Sequence, residues 1–144
     1  MKSALSIFIG VLMSAGAFAQ TDPNLGIIPA PVSITRANGS FVLDKTTILI
    51  NQSIDGAKIN DLLNAFIVTK AGFALREAKV AQPNQKSILL TSSGADKLPA
   101  EGYTIKVTPN QLIITGTGAG LFYAVQSVMQ MMPEKVDDKS QFLQ

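Results

Sequence analysis

Hydrophobic and polar positions alternate in some stretches of the chain and recur at helical spacing in others. Residues 32–36 alternate strictly, and Asn38-Gly39 and the apolar run 41–43 follow, which together predict a β-hairpin. Residues 46–50 are rich in β-branched side chains and predict a third strand. The first part of the pattern therefore predicts a small antiparallel unit.

Two segments have the one-sided apolar spacing of an amphipathic helix. The first is expected to begin at an N-cap supplied by Asp55 or Ser53 and to end near Gly72, which suits a C-cap. The second is expected to follow the glycine-rich turn 116–120 and to stop at Pro133. The apolar faces comprise Ile59, Leu62, Leu63, Phe66 and Ile67 in the first helix, and Leu121, Phe122, Val125, Val128, Met129 and Met132 in the second.

The remaining apolar runs are short and predict strands. They lie at residues 73–75, 87–91, 101–107 and 111–115, with the last two forming a second hairpin. Residues 134–144 are polar and are expected to form no further packed element. The pattern as a whole predicts an α+β fold, a mostly antiparallel β-sheet with two amphipathic α-helices packed on one face.

The first residues of the chain have the features of an export signal. A positive start at Met1-Lys2 precedes an apolar stretch over residues 4–13, and Ala17-Phe18-Ala19 resembles a signal-peptidase site. The apolar run is shorter than the roughly 18 residues of a membrane-spanning helix, so we expect no span after cleavage. The expected organisation is a signal peptide at 1–19, a leader at 20–26, one domain at 27–133 and a linker at 134–144.

Composition narrows the possible chemistry. The 144 residues include no His, Cys or Trp, which excludes a catalytic His dyad, a thiolate nucleophile and a zinc site of the usual nitrogen and sulfur ligands. An exported protein without cysteine is typical of bacteria, so we expect a periplasmic or secreted bacterial protein. The net charge is only +2 and the cations are scattered singly, so nucleic-acid binding is not expected.

Candidate catalytic and ligand-binding motifs all have simpler explanations. The turn 116–120 lies between a strand and a helix, but Leu121 stands where a dinucleotide-binding loop needs glycine, so we interpret it as a tight turn. Asp137 and Asp138 are adjacent acids in the polar tail, and Glu101 is a single acid at the start of a strand. The sequence therefore assigns no catalytic residue, no cofactor-binding residue, no cofactor and no metal ligand.

The last helix has features beyond its core stripe. Met129 and Met132 lie on that stripe, whereas Met131 is expected to point elsewhere and to indicate apolar contacts on a second side. Gln126 and Gln130 are one turn apart and are expected either to hydrogen-bond across an interface or to face water.

Motifs at both ends of the expected domain resemble a known family. Ile28-Pro29-Ala30-Pro31 is followed by Phe41-Val42-Leu43, and later by Glu101-Gly102-Tyr103-Thr104-Ile105 and the run from Gly120 to Gln130. In this order they resemble the N-terminal domain of glycoside hydrolase family 20, the β-N-acetylhexosaminidases and chitobiases. Ala124 and Ser127 stand where that family commonly has glycine and threonine.

The resemblance implies a non-catalytic domain whose helices pack against a following (β/α)₈ barrel. That barrel holds an adjacent Asp-Glu pair, and the Glu acts as general acid/base while the substrate's acetamido group attacks the anomeric carbon. In that family the barrel removes terminal N-acetylhexosamine residues from glycans or chitooligosaccharides. The barrel is the expected partner in the same polypeptide, it is absent from this sequence, and a glycan would be reached only through it. We expect Leu121, Phe122 and Met131 on the barrel-facing side, and no activity from this chain alone.

Two alternatives remain open at this stage. One is a free-standing exported module that binds a glycan or a protein. The other is the equivalent domain of another glycosidase family, such as the α-glucuronidases or O-GlcNAcase-like enzymes.

Overall fold

The structure, a computed structural model, describes residues 25–36, 39–53, 56–133 and 141–142. Two α-helices and seven strands are assigned within them. The helices are α1 (Gly56–Ala71) and α2 (Gly118–Met131), and a short 3₁₀ turn spans Ala95–Lys97. The strands are β1 (Phe41–Val42), β2 (Ile48–Gln52), β3 (Arg76–Glu77), β4 (Ser87–Thr91), β5 (Tyr103–Val107), β6 (Gln111–Gly116) and β7 (Gln141–Phe142).

The main sheet has five strands in the order β3-β2-β4-β6-β5. The pairs β2–β3, β2–β4 and β4–β6 are parallel, and only β5–β6 is antiparallel. The α+β class is confirmed, but the prediction of a mostly antiparallel sheet is wrong. The chain returns through α1 between β2 and β3, and a helical crossover of this kind joins parallel strands.

One face of the sheet is covered by both helices, as predicted. Leu49, Ile88 and Leu112 lie side by side on β2, β4 and β6, and their side chains belong to the buried core. The core residues of the helices are Ile59, Leu63 and Ile67 in α1 and Leu121, Ala124, Val125 and Val128 in α2. Along β5 and β6 the side chains alternate between more and less exposed, and the two strands pair as the predicted hairpin at the sheet edge.

The N-terminal part of the chain differs from its prediction. Residues 32–36 form no strand and Val32 is fully exposed, while Asn38 of the expected turn lies outside the described residues. β1 instead pairs with β7 in a separate two-stranded sheet, in which Phe41 lies opposite Phe142. The predicted antiparallel unit is therefore wrong, and so is the prediction that residues 134–144 contribute no packed element.

The path from α1 to β3 is fixed by one amide side chain. Asn64 accepts a hydrogen bond from the Leu75 amide at 2.8 Å and donates one to the Leu75 carbonyl oxygen at 3.2 Å. Gly72 ends α1 with a φ of +74°, which confirms the predicted C-cap, whereas Asp55 lies outside the described residues. The strand predicted at 73–75 lies later in the chain. β3 begins at Arg76, directly after the residue whose backbone Asn64 bonds.

Candidate interaction surface

The glycine-rich turn before α2 is a tight structural junction, as interpreted from the sequence. Gly118 has a φ of +44°, and the Gly120 amide donates to the Thr117 carbonyl oxygen at 2.8 Å. A Cβ on Gly120 would overlap the carbonyl oxygen of Gly102. Glycine is therefore required here for close backbone approach between α2 and the start of β5.

Of the three acidic residues considered from the sequence, only Glu101 lies within the described residues. Glu101 is exposed just before β5, and Asp137 and Asp138 lie outside the described residues. Within the part of the chain that the structure describes, no group of three or more His, Cys, Asp or Glu side chains is placed to hold a metal ion. Nor does any helix there combine the length and apolarity needed to cross a membrane.

The side chains of α2 divide differently from the predicted barrel-facing set. Leu121 is fully buried in the domain's own core, so its expected place on an outward side is wrong. Met131 is half-buried and packs against that same core, so the second apolar side expected from it is not found there. Phe122 is 42% exposed, and Tyr123, which the sequence analysis did not single out, is 43% exposed. The outward apolar flank of α2 is thus made by Phe122 and Tyr123.

This flank forms one side of an open groove of about 740 Å³, here named the α2 groove. Its other side is the N-terminal segment at Ile28 and Pro29. The described residues that line the groove are Ile28, Pro29, Glu101, Tyr103, Phe122, Tyr123, Gln126, Ser127 and Gln130. The sequence contains one indication of this groove. The apolar stripe predicted on α2 includes Phe122, which the core does not contain, so the stripe is wider than the core requires.

Gln130 holds the N-terminal segment against α2. The Ile28 amide donates to Oε1 of Gln130 at 2.8 Å, and Nε2 of Gln130 donates to the Ile28 carbonyl oxygen at 3.2 Å. A carboxamide that bonds both backbone groups of one residue imitates the pairing of a β-strand. Gln130 was expected either to hydrogen-bond across an interface or to face water, and a contact within the domain was not predicted. This contact fixes Ile28 as a wall of the groove, while the Ile28 side chain stays 80% exposed.

The groove contains both satisfied and available polar groups. The hydroxyls of Tyr103 and Ser127 are hydrogen-bonded to each other at 2.7 Å, which ties β5 to α2. The rings of Phe122 and Tyr123 meet edge to face, with centroids 5.8 Å apart and planes at 67°. Among the described residues of the lining, Glu101 is the one charged side chain. A single carboxylate beside exposed aromatic rings and carboxamides suits binding, and it supplies no pair of groups for acid–base catalysis.

Comparison with known proteins places this arrangement in a family. The family model for glycosyl hydrolase family 20, domain 2, matches residues 24–142. A beta-hexosaminidase of Porphyromonas gingivalis is 30% identical over 124 residues, which are 85% of this chain and 16% of that protein. The chain therefore spans about a sixth of the curated relative that it matches.

Solved structures agree with the fold. The family 20 β-N-acetylhexosaminidase of Streptomyces coelicolor superposes with a TM-score of 0.72 at 21% identity, over 85% of this chain and 25% of that one. The β-N-acetylhexosaminidase of Bacteroides fragilis superposes with a TM-score of 0.60 at 28% identity, over 82% of this chain and 23% of that one. Domain 2 normally accompanies a catalytic barrel domain in the same chain. Because the family model matches nearly all of its length, the chain belongs to glycosyl hydrolase family 20, as domain 2 of that family.

Proposed function

We propose that this chain is the non-catalytic N-terminal domain of an exported β-N-acetylhexosaminidase. The observation that carries the proposal is the family match, which runs from residue 24 to residue 142 and so includes β1, the whole main sheet, both helices and β7. The hydrolysis of terminal N-acetylhexosamine residues is then performed by a barrel in the same polypeptide, and this domain supports that barrel by packing against it.

The α2 groove is the surface we assign to that packing. Phe122 and Tyr123 expose more than two fifths of their surface, although neither contributes to the domain's own core. Exposed apolar side chains that adjoin one another commonly mark an interaction surface. Burying them would contribute about 25 cal/mol for each Å² of apolar surface removed from water, so the domain would stabilise the barrel without touching the substrate.

Export is proposed from the first residues of the chain. The positive start, the apolar stretch and Ala17-Phe18-Ala19 support a signal peptide at 1–19, followed by the leader at 20–26, and hence a periplasmic or secreted location. These residues lie outside those that the structure describes, apart from the end of the leader. Mass spectrometry of the exported protein would test the cleavage, and a mature N-terminus other than Gln20 would contradict the proposed site.

Enzyme activity tests the central proposal. The purified 144-residue chain and the complete product of its gene are each assayed with an aryl N-acetylglucosaminide under identical conditions. We expect turnover by the complete product and none by the chain, because we assign the acid–base pair to the barrel. Turnover by the chain alone would contradict the assignment of a non-catalytic role, and a complete product without activity would contradict the assignment to a hexosaminidase.

A further inference from the structure

The α2 groove presents a negative charge, Glu101, that no cation of the described residues pairs with. Glu101 is exposed, and no lysine or arginine is among the described residues that line the groove. Among the described residues the single ion pair joins Lys86 to Asp44, so none of their cations lies within 4.0 Å of the Glu101 carboxylate. A carboxylate beside apolar surface loses hydration when a partner covers it, and that loss is costly unless the partner brings a positive charge.

The other groups of the groove indicate which kind of positively charged group would fit it. Tyr103 and Gln130 are occupied by bonds inside the domain, whereas Phe122 and Tyr123 offer exposed ring surface next to Gln126. A guanidinium group is planar, carries five donors, stacks on aromatic rings and is less strongly hydrated than an ammonium group. It can therefore pair with the carboxylate and lie against the rings at once, which a lysine does less well and an uncharged sugar does not.

We infer that the α2 groove receives an arginine side chain of the catalytic barrel, with its guanidinium paired to Glu101 and packed against Phe122 and Tyr123. The inference rests on the proposed function, because it takes the barrel of the same polypeptide as the occupant. Two observations favour that occupant. The chain spans only 16% of its curated relative, and domain 2 accompanies a barrel in the same chain.

Charge variants of the complete gene product test the inference. Glu101→Gln and Glu101→Lys are compared with Glu77→Lys, a matched change at an exposed acid on the edge strand β3, away from the groove. We expect Glu101→Lys to lower the Tm by about 2 °C or more, Glu101→Gln by less, and Glu77→Lys hardly at all. The difference between wild type and Glu101→Lys should narrow as NaCl is raised, because salt screens charge interactions at a surface.

A charge swap identifies the partner. Glu101→Arg is combined in turn with an Arg→Glu change at each arginine on the barrel surface, and one combination should recover the Tm lost by Glu101→Arg alone. Recovery at one position supports the pairing, since a merely local effect of residue 101 would not respond to the barrel. Failure at every position overturns the inference, as does a Tm for Glu101→Lys equal to that of Glu77→Lys.

Two further outcomes are kept distinct. Binding of N-acetylglucosamine oligosaccharides to the 144-residue chain that is lost in Glu101→Gln would make the groove a glycan site and overturn the inference. A wild-type complete product without hexosaminidase activity would defeat the proposed function itself. An active enzyme whose Tm does not change with Glu101→Lys would contradict only the inferred pairing of a barrel arginine with Glu101.

Discussion

At the level of single residues, the junction between β5, β6 and α2 is tightly packed around three glycines. A Cβ on Gly102 would lie 2.7 Å from Cδ of Pro99, and a Cβ on Gly116 would lie 3.0 Å from the Leu121 amide nitrogen. The first approach is closer than side-chain carbons tolerate, and the second would require the Leu121 backbone to shift by a few tenths of an ångström. Together with Gly120, these residues let the end of one strand, the start of another and the first turn of a helix share one small space.

Gly120→Ala separates the two effects of glycine in a helix. Alanine would ordinarily stabilise a helix by up to about 1 kcal/mol. Here its Cβ overlaps a backbone oxygen of Gly102, which cannot rotate away as a side chain could, so we expect a net loss of about 1 to 3 kcal/mol. The free energy of unfolding of Gly120→Ala and of wild type is measured by urea denaturation. The control is Ala119→Gly, an exposed position in the same turn, where only the loss in helix propensity applies. A stability of Gly120→Ala equal to or above wild type would contradict this prediction.

At the level of elements, an ion pair joins the segments that lead into two parallel strands. Asp44 lies before β2 and Lys86 directly before β4, and Oδ2 of Asp44 is 2.7 Å from Nζ of Lys86. Burial raises the pKa of Asp44, but the hydrogen bonds from Lys86 and Thr46 and the charge of Lys86 outweigh it and lower the pKa from 3.8 to about 2. The ionised carboxylate is thus favoured by the fold.

The direction of the pKa shift sets the pH dependence. A lowered pKa in the folded state stabilises the protein above pH 3.8, and this contribution is lost as the pH falls toward 2. Asp44 is 37% exposed as a side chain, so solvent screening reduces the contribution to the order of 1 kcal/mol. We expect Asp44→Asn to lower the free energy of unfolding at pH 7 and to match wild type near pH 2. Asp96→Asn, at an exposed acid of the 3₁₀ turn, is the control, and a difference that persists at pH 2 would count against the ion pair.

Sequence patterns located most elements but not how the strands pair. The alternation of residues 103–107 specified which side chains face the core, and the apolar spacing of α1 specified its buried stripe. Neither pattern encodes strand direction, because a parallel and an antiparallel neighbour bury the same side chains. Residues 32–36 alternate equally well and yet form no strand, since alternation supplies no partner. The pairing of Phe41 with Phe142 joins positions about a hundred residues apart, which no local pattern could reveal.

The candidate site was only partly predictable for a similar reason. Phe122 was identified as apolar, but whether it faced the core depended on the rotation of α2 about its axis, which the buried Leu121, Ala124 and Val125 determine together. The contact between Gln130 and Ile28 depends on where the N-terminal segment returns to the helix, across 102 positions of sequence. Phe122 was expected on the outward side, but the parts of the groove formed by Tyr123 and Ile28 became visible only once these tertiary contacts were known.

At the level of the whole molecule, one flank of α2 is buried within the domain and the other is exposed. Leu121 is fully buried and stabilises the domain itself, whereas Phe122 is 42% exposed and has little to stabilise until a partner covers it. If the domain supports a barrel, adjacent residues on one helix should therefore affect stability in different assemblies. This separation distinguishes a packing domain from a free-standing module, in which Phe122 would matter little to stability in any context.

Leu121→Ala and Phe122→Ser make that separation measurable. Leu121→Ala should cost about 2 to 5 kcal/mol, both in residues 20–144 expressed alone and in the complete gene product, because it leaves a cavity in the core. Phe122→Ser should change the isolated domain by no more than about 0.5 kcal/mol, yet lower the Tm of the complete product while leaving kcat unchanged at temperatures where it stays folded. Val80→Ser, at a 66% exposed side chain between β3 and β4, is the matched control and should alter neither. Equal losses from Phe122→Ser in both proteins would place that side chain in the domain's own core, and no loss in either would remove the α2 groove from the interface with the barrel.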